Sequence, residues 1–279
     1  MHDGIDLHVH TTASDGSLSP AEVVEAALEK GLTAISVTDH DTVEGVPYAV
    51  KAASGYPLKV IPGVEISASY HGKEIHVLGY NIDVSNDLLN ETLKEVARLR
   101  DERIGKMCAL LREHGVDITI EELHEASESH LLTRGNIGHF LINNGYAKDM
   151  QEAFEKYIGT RSSCYIPRFK LDVEDTVKII KYAKGICSLA HPVQYRLTDR
   201  QYAELFKDLK ALGFSCIEAI HSDNKPGDDI RFKNLAASAG LLITGGSDFH
   251  GRSKPDISIG TGRGNIMVPS SILDNIGAL

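Results

Sequence analysis

The chain has 279 residues, enough for one large barrel or two ordinary domains. Its 42% hydrophobic and 24% charged residues are those of a soluble globular protein, and no apolar run approaches the ~20 residues that cross a bilayer. A net charge of -10 argues against a protein that coats nucleic acid nonspecifically, yet an anionic substrate is still compatible if acidic residues carry cations.

Residues 4–10 read as a first strand, with Ile5, Leu7 and Val9 on one face and Asp6, His8 and His10 on the other. A buried polar row of that kind needs hydrogen bonds or a metal. The start of the chain lacks a basic segment followed by an apolar core, so no signal peptide is expected. A loop carrying Asp15 and Gly16 leads to Ser19-Pro20-Ala21-Glu22, a capping box that starts a helix ending at Gly31. Ala34 to Thr38 is a short strand running into Asp39-His40-Asp41, and a helix spans about Val43 to Ala53. Leu58 to Ile61 is the next strand, leading into Pro62-Gly63-Val64-Glu65. Ile66–Tyr70 and Glu74–Tyr80 flank His71-Gly72 as a hairpin, with His76 on its second arm.

The pattern then becomes helical: Asn86–His114, Ile120–Glu128, Thr133–Asn144 and Met150–Tyr157. Residues 85–164 are therefore expected to form an inserted cap subdomain, with 1–84 and 165–279 forming the main body. Strand–helix alternation resumes after Asp172. Strands Ile186–Ala190, Ser215–Ile220 and Leu241–Thr244 end in His191-Pro192, His221 and Ser247-Asp248-Phe249-His250, and a last strand lies near Asn265–Val268 before a short terminal helix. Cys108, Cys164, Cys187 and Cys216 form no CxxC pair and read as buried free thiols, which points to a reducing cytoplasm. The fold expected from this alternation is an α/β barrel, with chemistry at the strand ends.

Imidazoles and carboxylates gather at those ends: His8, His10, Asp15, His40, Glu65, His76, His191, Asp248 and His250. They are too many for one ion. Two or three divalent ions would use them, and mixed nitrogen and carboxylate donors without sulfur suit Mn²⁺, Zn²⁺ or Fe²⁺. Paired ions activate a shared water and stabilise both oxygens of a phosphate-ester displacement. Asp6, Asp39, Asp41 and Ser247 adjoin these positions and are expected to orient imidazoles by hydrogen bonds.

The set Asp6-Leu7-His8-Val9-His10, Thr38-Asp39-His40-Asp41, Pro62-Gly63-Val64-Glu65, His76, His191-Pro192 and Ser247-Asp248-Phe249-His250 resembles the PHP (polymerase and histidinol phosphatase) phosphoesterases. The resemblance implies a distorted (β/α)7 barrel with a helical insertion, and a trinuclear site. In it, His8, His10, Glu65 and Asp248 surround one ion, Glu65, His76 and His191 a second, and Asp15, His40 and His250 a third. It also implies attack of a metal-bound hydroxide, with Asp248, His191, His250 and Glu65 as the catalytic set. The insertion resembles the stand-alone subgroup acting on AMP, on nucleoside 3′,5′-bisphosphates or, as a 5′→3′ exonuclease, on RNA ends.

A nucleotide or 5′-phosphorylated oligonucleotide would meet Arg161, Arg168 and Lys170 interleaved with Tyr165 and Phe169. Arg134 and Asn136, in Leu132-Thr133-Arg134-Gly135-Asn136, open a helix whose N-terminus favours anions. Arg134, Asn136, Tyr165, Arg168 and His221 are the candidate substrate contacts. His2, His71, His114, His124, His130 and His139 read as structural or surface residues. Rival readings are a histidinol-phosphate phosphatase, an amidohydrolase (disfavoured, because no strand-end lysine stands out) and a noncatalytic nucleotide-binding scaffold. No stable protein partner and no membrane association are expected.

Overall fold

The computed structural model describes residues 4–127 and 131–277. The chain divides into two compact units, Met1–Thr92 with Lys170–Leu279, and Leu93–Phe169. His2 and His130 lie outside the described residues.

The first unit opens with β1 (Gly4–Val9), α1 (Pro20–Glu29), β2 (Ala34–Val37), α2 (Gly45–Ala52), β3 (Lys59–Tyr70) and β4 (Lys73–Tyr80). The long helix α3 (Asp87–Glu113) leaves it. The second unit adds α4 (Ile120–Ala126), α5 (Arg134–Asn143) and α6 (Met150–Ala153), the last continued by a π-turn over Phe154–Ile158. The first unit then resumes with β5 (Leu171–Asp172), α7 (Val173–Tyr182), β6 (Ile186–Leu189), α8 (Asp199–Leu212), β7 (Cys216–His221), α9 (Asp228–Ser238), β8 (Leu242–Gly246) and β9 (Val268–Pro269). The expected terminal helix is a 3-10 segment, Ser270–Ile276.

Local signals explain the helices. Ser19 and Glu22 form the reciprocal capping box, Pro20 sits at the first helical turn, and Val23, Val24 and Ala27 bury one stripe of α1. The sheet order is β8-β7-β6-β4-β3-β2-β1-β9, with β5 added on β3. Neighbours are parallel except where β4 meets β3 and β6, and where β9 meets β1. The sheet closes on itself just past β8: the His10 amide donates to the Phe249 carbonyl at 2.9 Å, and Phe249 donates back to His8 at 3.3 Å. The expected α/β barrel is present.

Two strands differ from the sequence expectation. The segments read as separate strands on either side of Pro62-Gly63 are one 12-residue strand, β3. Residues Lys59–Pro62 pair with β2, and Gly63–Tyr70 pair with β4, so Pro62 stands where the strand changes partner. A Cβ on Gly63 would meet Ser36 Oγ at 2.5 Å, which is why glycine is required there. In β1 the register slips between Asp6 and Val9. Ile5 and Leu7 pack with Ile61, Leu78, Tyr80 and Val268, whereas Val9 joins Val23, Ile35, Val37 and Val46 against the helices. The three apolar residues therefore serve two core clusters, not one.

Asp6 corrects a further expectation. Among the described residues its carboxylate makes no hydrogen bond or ion pair with an imidazole; it accepts from the backbone N–H groups of His8, Ser247 and Gly260 and from the Ser247 hydroxyl. It ties the first strand to the loop after β8. Asp6→Ala should lower unfolding free energy by about 3 kcal/mol or more, because each buried donor left unpaired costs ~1–3 kcal/mol. Urea denaturation measures this, and a loss below about 1 kcal/mol would show that the tie is dispensable.

Candidate metal centre

Strand ends, and two positions within β3 and β4, deliver their polar residues to one rim. His8 and His10 come from the end of β1, Asp15 from the loop behind it, His40 from the turn after β2, Glu65 from mid-β3, His76 from β4, His191 from the turn after β6, and Asp248 and His250 from the turn after β8. The Glu65 backbone is held on both sides: its amide donates to the Asp39 carbonyl at 3.1 Å, and its carbonyl accepts from Asp41 at 2.8 Å. Asp41, His191 and Asp248 all adopt positive φ (52°, 27° and 58°), a left-handed geometry that non-glycine residues keep only where their surroundings enforce it.

Glu65 is the hub. One oxygen, Oε2, lies 3.4 Å from both His8 Nε2 and His10 Nε2 and 2.9 Å from His40 Nδ1. The other, Oε1, lies 3.0 Å from His76 Nδ1 and from His191 Nε2. Asp248 Oδ1 stands 3.5 Å from His8 and 3.4 Å from His10. Asp15 approaches His10, His40 and His250 at 3.7, 3.8 and 3.3 Å. The structure thus brings all nine sequence candidates together.

Among the described residues, four groups converge tightly enough to share an ion: His10, Asp15, His40 and His250; His8, His10 and Glu65; His40, Glu65 and His76; and His8, Glu218 and His221. The third ion's expected set gains His10. The donor atoms also fit cations in a second way. His8 Nε2, His10 Nε2, His40 Nδ1, Glu65 Oε2, His191 Nδ1 and His221 Nε2 are buried and make no hydrogen bond. Six orphaned polar atoms in one cluster are far outside the norm for a folded interior, and a bound cation satisfies such atoms.

The charges lean the same way. Burial opposes ionisation of Glu65, but His40, His8 and His76 outweigh it and hold its carboxyl well below the usual range. Asp248 behaves alike, with His8 the largest attraction against burial. Burial disfavours a charged His76, yet Glu65 raises its pKa to about 9. Burial and the neighbouring His250 and His40 push His10 well below its ordinary value. The centre thus holds ionised carboxylates facing an unprotonated His10, the combination of donors that a divalent ion accepts.

One further expected position, His221, adjoins this cluster. His221 is fully buried, 3.6 Å from Asp248 Oδ2, with its Nδ1 accepting from the Asp223 amide. Arg134, Asn136, Tyr165 and Arg168 belong to the helical unit. There the Arg134 guanidinium lies over the Phe154 and Tyr165 rings, and Arg103 also faces Tyr165. The Asn136 side-chain oxygen, Oδ1, accepts from the Thr133 amide and hydroxyl, which makes it the reciprocal half of the α5 cap. The orienting roles expected of Asp39 and Ser247 also differ. Asp39 accepts from the Thr11 amide and hydroxyl and from Ser14 Oγ, and Ser14 alone reaches His10, at 3.5 Å. Ser247 bonds Asp6. Asp41 accepts the Ser67 amide.

Two residues were not anticipated. Glu218 lies beneath the cluster on β7. Lys254 Nζ lies 2.7 Å from Asp248 Oδ2, with its side chain 38% exposed. The signal for Glu218 is a lone carboxylate inside the apolar run Cys216-Ile217-Glu218-Ala219-Ile220. Lys254 sits in a polar turn and has no comparable signal.

Known proteins give the same picture. The PHP domain matches residues 6–213. The chain is 32% identical to the 5′-3′ exoribonuclease Rnm of Escherichia coli, over 88% of this chain and 84% of that one. It is 31% identical to the 3′,5′-nucleoside bisphosphate phosphatase of Chromobacterium violaceum, over 88% and 87%. A solved structure from Bifidobacterium adolescentis, described as a metal-dependent phosphoesterase, superposes with a TM-score of 0.81 at 28% identity, covering 98% of this chain and 95% of that one. With a barrel of this topology and that rim of imidazoles and carboxylates, the chain belongs to the PHP domain family and is a hydrolase of phosphate esters.

Proposed function

We propose that the enzyme hydrolyses the 5′-phosphate of nucleotides, of the AMP and nucleoside 3′,5′-bisphosphate type. The observation that carries this reading is the match, along nearly the whole of both chains, to relatives whose names place them on nucleoside bisphosphate and on RNA. The residues that would hold two or three Mn²⁺, Zn²⁺ or Fe²⁺ ions are His8, His10, Glu65 and Asp248; Glu65, His76 and His191; and Asp15, His40 and His250, with His10 close to the last group. Such ions, when bound, acidify water and neutralise the charge that builds on phosphate oxygens.

The chain's own residues do the rest. His8, His10 and Glu65 are closed from solvent, whereas Asp15, His40 and His76 keep 28%, 15% and 19% of their side chains exposed. An ester therefore approaches over that edge. Lys254 stands on the same turn as Asp248 and His250 and keeps its proton: burial opposes the charge, and Asp248 more than restores it. Its ammonium adds positive charge where an anionic group arrives. His191 and His250 are held in place by bonds to Glu65 and to the Asp248 carbonyl.

With added Mn²⁺, phosphate should be released from AMP and from adenosine 3′,5′-bisphosphate, and much less from histidinol phosphate. Faster turnover of a 5′-phosphorylated oligonucleotide would favour the exonuclease reading, which the resemblance to Rnm motivates. No turnover of any nucleotide substrate would refute both.

A further inference from the structure

We infer that Glu218 is a positioning residue of the metal centre, one that sets the tautomer of His8 and fastens the backbone of His191. The inference rests on the reading of the cluster as a metal site. Glu218 lies on β7, fully buried. Its Oε1 is 2.9 Å from His8 Nδ1, and its Oε2 accepts the His191 backbone N–H at 2.7 Å.

The first bond decides which His8 nitrogen carries hydrogen. A carboxylate accepts, so Nδ1 donates to it and Nε2 is the nitrogen that presents a lone pair. That Nε2 is one of the orphaned atoms, and it points between Glu65 Oε2 and Asp248 Oδ1 at 3.4 and 3.5 Å. With the opposite tautomer, Nε2 would present an N–H to the centre and could not bind an ion. A carboxylate behind a ligating imidazole also raises its basicity.

The second bond explains how His191 keeps φ 27° and ψ 59°. In that left-handed turn the His191 amide has no strand partner and finds the carboxylate instead. The same turn aims the ring so that Nε2 meets Glu65 Oε1. One buried side chain thus holds two imidazoles that arrive on different strands, β1 and the end of β6. Its neighbours Ile217 and Ala219 are fully buried as well, so β7 is seated in the core around Glu218.

The closeness of His8, Glu218 and His221 also admits an ion held directly by Glu218. Both Glu218 oxygens already accept hydrogen bonds and neither is among the orphaned buried atoms, whereas Glu65 Oε2 is, so a proton between Glu218 and His8 is the better occupant.

The test uses the full-length protein in its wild-type, E218Q and E218A forms, labelled with ¹⁵N-histidine. Competition against a chelator gives Mn²⁺ or Zn²⁺ affinity, and the imidazole ¹⁵N shifts give the His8 tautomer. In E218Q the carboxamide can accept only one of the two N–H groups. Metal affinity should fall about 10- to 100-fold, kcat should fall more than KM rises, and the Nδ1–H signal of His8 should be lost or mixed. E218Q is nearly isosteric and keeps the proposal testable if E218A does not fold. Wild-type affinity together with an unchanged His8 tautomer in E218Q would overturn the inference. So would the loss of one equivalent of metal with that tautomer intact, which would make Glu218 a ligand. If wild-type protein itself binds no metal, the metal reading of the cluster fails, and that is seen before any variant is made.

Discussion

Asp248→Asn should lower kcat/KM on AMP by about a thousandfold, while the far-UV circular dichroism stays that of the parent. The expected size follows from what Asp248 faces. Its Oδ1 sits at 3.4–3.5 Å from the inner nitrogens of His8 and His10, and its Oδ2 pairs with Lys254 at 2.7 Å. A carboxamide keeps the shape and removes the charge, so the ion proposed between Asp248, His8, His10 and Glu65 loses one of its anionic donors. The stabilisation of developing phosphate charge by a metal amounts to several kcal/mol, and about 4 kcal/mol corresponds to three orders of magnitude in rate. The assay is phosphate release with Mn²⁺ in excess, accompanied by metal analysis. Near-parental turnover in the variant would remove Asp248 from the chemistry and with it the proposed metal mechanism.

Glu65→Gln should be more damaging, and in a different way. The two Glu65 oxygens face different partners: His8, His10 and His40 on one side, His76 and His191 on the other. A carboxylate in that position can bridge two ions, whereas a carboxamide offers one weakly basic oxygen and an NH2 group. Bound metal should fall by more than one equivalent per chain, and turnover should drop by at least the factor expected for Asp248→Asn. Inductively coupled plasma analysis after gel filtration gives the stoichiometry. Loss of a single equivalent would mean that Glu65 serves one ion only, and that the two halves of the cluster are independent.

The placement of the site residues could be read from the sequence because strand ends in an α/β barrel all face one rim. His10, His40, His191 and Asp248 each follow a short β-rich run, so their positions along the chain already implied a common location. The supporting residues were harder to read, for physical reasons. Glu218 looks like an anomaly in a core strand until the turn at His191 is seen to need an acceptor. Asp6 lies beside His8 in sequence, which suggested a bond to an imidazole; its true partners, Ser247 and Gly260, are brought to it only by barrel closure. Pro62-Gly63 has the composition of a break. It marks a change of strand partner instead, since a proline can end one ladder without ending the strand. In the helical unit, Thr133 and Asn136 stand three apart ahead of an apolar run. That spacing is a capping signal, and the cap is the role the Asn136 side chain takes.

Barrel closure also bears on how the protein is made. The carboxylate of Asp6 is satisfied by residues 241 and 254 positions downstream. On a ribosome adding about 5–20 residues per second, the first strand would wait roughly 10–50 s for those partners. Through that interval β1 can pair with β2 on one side, while its other edge and its polar row remain open. Such long-range closure costs loop entropy before any contact rewards it. The nascent chain therefore carries His8, His10 and Glu65 well before Asp248 and His250 are made, and the proposed ligand set is complete only once the turn after β8 has been synthesised.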